Sequence, residues 1–193
     1  EPDVVLKQKL TGILCKHDPV FLKNLSDSFA DQRSEIKKII IINLLNQQEF
    51  TYLFKAGNEI NNLITSPDFK DRELAVSIIS KVKHIQFAGV IEKLINDNEI
   101  SVRRLAITAA CKLNIKSLLP LILECSDELS NKYLVLKALL TYGDSLFEDM
   151  HILSEKLLLK HTNALIKISG KIKGHHSTDF LLSVIDRTTG KTN

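Results

Sequence analysis

The chain has 193 residues, 44% of them hydrophobic and 6% aromatic, and it contains no Trp. Seven Gly and four Pro are too few for the tight turns that an all-β chain of this length needs, and abundant Leu, Ile and Lys suit helices packed by aliphatic ridges, so the predicted class is all-α. A formal charge of +3, from 26 basic and 23 acidic residues, argues against the concentrated basic face of a strong phosphate-backbone binder.

From the start of the chain, Val4 to Cys15 and Val20 to Ala30 read as a helix pair, with Asp18-Pro19 as cap and first-turn proline. Ser34 to Leu45 (SEIKKIIIINLL) follows, and Ile60 to Ile64 closes a further helix before Thr65-Ser66-Pro67-Asp68. Phe69 to Ser80 (FKDRELAVSIIS) comes next, then Phe87 to Ile95, where Val90, Ile91, Leu94 and Ile95 fall at helix spacing on one face. Asn96-Asp97-Asn98 breaks that helix, and Glu99 to Leu113 (EISVRRLAITAACKL) begins another. Leu118 to Cys125 ends at Ser126-Asp127 and is followed by Leu129 to Leu140 (LSNKYLVLKALL). Each Ser/Asp/Asn/Pro cluster stops one helix and caps the next, because its side chains accept the unpaired N–H groups of the new first turn. Leu146 to Leu159 and Ala164 to Ile172 continue the pattern more loosely. Gly174-His175-His176 reads as a turn, Phe180 to Ile185 as a last short helix, and the polar end of the chain as a frayed tail over 189–193.

The four quoted phrases are alike: a basic residue lies in an apolar helix face about six residues after a turn signal. Aligning Lys37, Arg72, Arg103 and Lys132 gives spacings of 72 − 37 = 35, 103 − 72 = 31 and 132 − 103 = 29. A period in the range of roughly 20–50 residues marks a solenoid, in which no unit buries its own apolar face and each stacks on its neighbours. The expected architecture is a right-handed α-solenoid of about five to six stacked antiparallel helix pairs, forming one domain over 1–188.

Asp97-Asn98-Glu99-Ile100-Ser101-Val102-Arg103-Arg104-Leu105-Ala106 resembles the core of a HEAT repeat, with its turn Asp, its Val-Arg and a small residue three positions after the Arg. Asp31 with Ile36-Lys37 matches in spacing but has Lys for Arg. Arg72 with Ala75 matches, but Ser66 takes the place of the turn Asp. Lys132 with Val135 departs furthest. The resemblance covers roughly residues 18–186 and implies that Arg72, Asp97 and Arg103 are register residues pairing along the array. Arg104, on a different side of its helix from Arg103, is expected in solvent. The resemblance further implies a non-catalytic scaffold for protein–protein interaction, with a protein partner or another segment of the parent chain. HEAT-like arrays also occur as appendages to bacterial transporters. The opening at Glu1-Pro2 without Met fits a soluble, cytoplasmic module excised from a longer protein. The alternative is a DNA-binding repeat enzyme resembling the HEAT-like alkylpurine glycosylases, which the absent Trp and the small net charge disfavour.

The remaining residues offer little chemistry, so no enzyme activity, cofactor or metal is expected. Cys15, Cys111 and Cys125 are odd in number and widely spaced without a CxxC pair, and Cys111 and Cys125, within apolar helical runs, read as small buried hydrophobes of a reducing compartment. Gly190-Lys191-Thr192 lacks the earlier glycine of a phosphate loop, since Ile185 occupies that place. His175 and His176 are adjacent and are expected to point apart, and no His-Glu dipeptide is present. Carboxylates such as Glu148-Asp149 are consecutive and splay on a helix, where they favour its dipole. One surface candidate stands out, a positive patch of Lys167, Lys171, Lys173 and His175 (with His176) suited to an anionic partner. No run of about 18 apolar residues exists to cross a bilayer.

Overall fold

A computed structural model describes residues 2–47, 50–82 and 87–189. Their regular structure is all helical, with no strand among them. The final residues of the expected tail, with Gly190-Lys191-Thr192, lie outside the described residues. Contacts group the chain into two compact units, Glu1–His84 and Ile85–Asn193.

The first unit holds α1 (Pro2–His17), α2 (Pro19–Asp27), α3 (Ser34–Asn46), α4 (Phe50–Thr65) and α5 (Phe69–Val82). The Asp18-Pro19 signal works as expected: the Asp18 carboxylate accepts the Val20 and Phe21 amides at 3.0 Å each, and Pro19 sits in the first turn, where no N–H is needed. Helix α3 touches both α1 and α5, so alternate helices of the chain lie side by side, with α2 and α4 packed between successive members. The continuous apolar run of α3 makes this possible, because Ile40, Ile41 and Leu44 are fully buried and meet neighbours on more than one side. Cys15, Leu22, Ile60, Ala75, Ile78 and Ile79 complete that core. The helix between the first two repeat phrases is longer than the phrase helix before it: α4 has 16 residues against 13 in α3.

The second unit holds α6 (Ala88–Ile95), α7 (Ile100–Lys112), α8 (Leu119–Glu124), α9 (Leu129–Leu139), α10 (Ser145–Glu148), α11 (Glu155–Ser169) and α12 (His175–Thr189). Helix α7 packs on α6 and on α9, α9 on α11, and α12 on both α10 and α11. Small residues allow close approach along α7, where Ala106, Ala109 and Ala110 are buried beside Val102 and Ile107. Burial pushes the Cys111 thiol up to about 12, which makes it an inert packing residue.

Two local expectations fail for physical reasons. The helix foreseen over Leu146 to Leu159 is broken after Glu148, passes through a 3₁₀ turn at Met150–Ile152, and restarts only at Glu155. Ser154 takes extended backbone and its Oγ accepts the Leu157 amide, a cap that ends the preceding segment. The histidine turn is the second: His175 and His176 open α12 instead. The cap comes from Asp144, whose carboxylate accepts the amides of His176 at 3.1 Å and Ser177 at 2.8 Å. Gly174 is required beside it, because a Cβ there would stand 2.0 Å from the Asp144 carboxyl carbon. Burial alone would raise the Asp144 pKa, but the amide hydrogen bonds outweigh it and hold the carboxyl below its ordinary value.

Candidate binding groove between α9 and α11

The register residues occupy equivalent positions in their phrases. Arg103 Nη1 donates to the carbonyls of Asp97 (3.0 Å) and Asn98 (3.1 Å), and Arg72 Nη1 to those of Ser66 (2.8 Å) and Pro67 (3.1 Å). In both, a guanidinium early in one helix holds two successive carbonyls of the turn that precedes it. The Asp97 carboxylate accepts the Glu99 amide at 2.8 Å, closing the turn that starts α7.

Arg103 also reaches forward. Its Nη2 lies 3.6 Å from the Glu128 carboxylate, at the turn before α9. The same carboxylate accepts from Asn131 Nδ2 at 2.6 Å, and Asn131 Oδ1 accepts from Arg104 Nε at 3.1 Å. Arg104 is therefore half-buried rather than solvated, because the buried Asn131 supplies an acceptor on its side of α7. This chain of Arg103, Glu128, Asn131 and Arg104 ties α7 to α9. Sequence reading missed it, and the only signal was an Asn in the first turn of α9, where a short polar side chain can serve a neighbour.

The positive patch divides. Lys167 lies on α11 but Lys171 falls in the turn beyond the end of that helix at Ser169, so the pair does not share the helix face that its spacing predicts; both nevertheless line a groove that faces α9. One part of that groove, about 310 Å³, is lined by Tyr133, Leu136, Lys137, Leu140, Lys167, Ile168 and Lys171. An adjoining part, about 250 Å³, shares Leu136 and Lys167 and continues past Lys132, Asn163 and Ala164 to Asp127, Lys160, Ser126 and His161. The floor is apolar, and Tyr133 stands at the mouth with 78% of its surface exposed. Lys132, Lys137, Lys167 and Lys171 along the groove are exposed.

At the closed end Lys160 pairs with Asp127 at 2.5 Å, which holds the Asp127 carboxyl below its ordinary pKa. His161 is buried, and its Nδ1 lies 3.4 Å from Ser126 Oγ. Ser126 Oγ already donates to the Leu123 carbonyl, so it serves His161 as an acceptor and the imidazole carries its proton on Nδ1. Nε2 then has no hydrogen-bond partner among the described residues. Burial pushes the His161 pKa down, and the Asp127 carboxylate opposes this with a smaller upward pull.

Lys173 and His175 stand apart from the groove. Lys173 is exposed in the turn after α11, and His175 Nδ1 pairs with Asp179 Oδ2 at 2.6 Å on the first turn of α12. Ligand atoms of His175, His176 and Asp179 all lie within 4.8 Å of one another. Adjacent histidines thus do converge, contrary to the sequence expectation, because Asp179 follows one by four positions and the other by three. No helix among the described residues is long and apolar enough to cross a membrane.

No known family model, curated protein or solved structure matches this chain.

Proposed function

We propose that the chain is a non-catalytic helical-repeat scaffold of the HEAT-like kind, and that the α9–α11 groove receives an acidic amphipathic segment of a protein partner. The solenoid reading is supported by the side-by-side packing of alternate helices within each unit and by the repeated guanidinium clasp at Arg72 and Arg103. The observation that carries the binding reading is the groove's composition: an apolar floor of Leu136, Leu140 and Ile168 rimmed by Lys132, Lys137, Lys167 and Lys171. A helix with Leu on one face and Glu or Asp flanking it would lay its apolar face on that floor and its carboxylates against the lysines. Steering by the lysines would speed encounter, and the buried apolar contact with Tyr133 would hold the complex.

The test uses two labelled synthetic helices of equal length, one built from Leu and Glu and one from Leu and Lys, titrated with the protein in a fluorescence-anisotropy experiment. The acidic helix should bind, more weakly as salt rises, and Lys137→Glu, Lys167→Glu and Lys171→Glu together should weaken it by at least about tenfold. Equal binding of both peptides, or an acidic complex indifferent to the triple reversal, would refute the groove. A third arm with duplex DNA examines the glycosylase-like alternative: DNA binding that is strongly salt-dependent and lost in the same triple variant would replace the peptide reading.

A further inference from the structure

The start of α12 brings together the ligand-bearing groups of His175, His176 and Asp179, outside the groove and independent of it. We propose that these three side chains bind one divalent transition-metal ion, of the class of Zn²⁺, with the remaining coordination position open to solvent.

The donor set favours this class. Imidazole suits zinc, nickel and copper, and a carboxylate completes the two-nitrogen, one-oxygen sets in which three protein ligands leave a fourth tetrahedral place for water. Helix geometry places the donors: Asp179 is the i+4 neighbour of His175 and the i+3 neighbour of His176, so one carboxylate meets both rings on the first turn. The ligand atoms already lie within 4.8 Å of one another, and ligands around a tetrahedral zinc at about 2.0–2.2 Å stand roughly 3.5 Å apart. Rotation about exposed side-chain bonds closes that difference, since all three residues are exposed. Entry of the ion displaces the hydrogen bond between His175 Nδ1 and Asp179 Oδ2, and the neutral imidazole then carries its proton on Nε2.

The backbone beneath the site is fixed. A bare helix N-terminus carries partial positive charge and would repel a cation. Here the Asp144 carboxylate accepts the His176 and Ser177 amides and offsets that charge. Gly174 leaves room for it, so the anchor that sets the direction of both histidines is built into the chain. His176 also lies within electrostatic reach of the Asp144 and Asp149 carboxylates, which further favours a cation. Full exposure makes the site open and moderate in affinity, an arrangement in which a side chain from another molecule could take the fourth place.

The experiment is isothermal titration of the untagged chain with ZnCl₂, with Co²⁺ absorption as a spectroscopic check and ¹H–¹⁵N spectra of the imidazoles to locate the ion. One equivalent should bind, with the His175 and His176 ring nitrogens shifting, and His176→Ala or Asp179→Ala should each cost at least about tenfold in affinity. Circular dichroism of both variants should match the parent, because neither side chain is buried. Absence of saturable binding, or binding unchanged in the His176→Ala/Asp179→Ala double variant, would overturn the site.

Discussion

At the turns before α5 and α7 an arginine reaches back to two successive carbonyls, whereas at the turns before α3 and α9 the corresponding place holds a lysine. Lys37 lies with its ammonium 5.5 Å from the centre of the Phe29 ring, and Lys132 is exposed at the edge of the groove. The guanidinium is a planar fork and can serve a pair of acceptors from one fixed position, while an ammonium is a point charge on a flexible stem. The phrase that repeats in the sequence therefore repeats in structure only where the fork is present. Where lysine replaces it, the position is released from clasping the turn and becomes available for another contact.

The largest test of that contrast is Arg103→Ala. It removes charge-assisted hydrogen bonds to two carbonyls together with the ion pair to Glu128, and the guanidinium is 23% exposed, so little water replaces them. The expected loss is about 2–3 kcal/mol, read as a lower urea midpoint with an unchanged slope. A change within about 0.5 kcal/mol would mean that the clasp does not hold the turn. Arg72→Lys is the gentler version. A lysine keeps the charge but can serve one of the Ser66 and Pro67 carbonyls at a time, so a loss of about 1 kcal/mol is expected by the same measurement. Full retention of stability would show that charge alone, rather than the fork, is what the position needs.

How much of this was legible in the sequence follows from the range of each interaction. The all-α class and most helix starts are local, resting on caps such as Asp18 and on 3.6-residue periodicity, and they could be read directly. The basic residue of each phrase could also be found, but the carbonyls it serves have no side-chain signature. The Asp97 carboxylate could be found as a turn residue, and it accepts the amide of Glu99 two residues on. The start of α12 was misread because its cap, Asp144, lies 32 residues upstream of His176. The α9–α11 groove was visible only as the half carried by Lys167 on α11 and Lys171 in the turn just after it. Its other wall, Tyr133, Leu136 and Lys137, lies one to two turns along a phrase that looked like core, and only tertiary packing turns that face outward.

A pH series sharpens the comparison at the Lys132 turn. Arginine keeps its charge throughout, but His161 beside that turn titrates. Its folded pKa lies below the ordinary value because burial disfavours the imidazolium. The unfolded chain takes up a proton as pH falls through about 6.5, whereas the folded chain resists it, so unfolding becomes coupled to proton uptake. Stability should be full above that pH and should decline on acidification until the folded group protonates in turn. His161→Leu removes both the titration and the unpartnered Nε2, so its urea midpoint should vary less than the parent's between pH 7.5 and about pH 5. An equally steep decline in the variant would assign the acid sensitivity to other groups.

The smallest expected effects are at the lysines, and they are informative for that reason. Lys37→Met removes the cation over Phe29 but keeps an unbranched stem, so the loss should be about 0.5–1 kcal/mol, the range of an exposed cation–π contact. Lys132→Glu should change stability by no more than about 0.5 kcal/mol, because the side chain is exposed and its ammonium holds no carbonyl. The same reversal puts a negative charge on the groove rim, next to Leu136 and opposite Lys167, where an acidic helix would have to lie. It should therefore weaken the acidic peptide while leaving the urea midpoint in place. That separation is what distinguishes a position freed from structural duty from one that merely clasps its turn less well: a clasp, however weak, would lose stability and binding together.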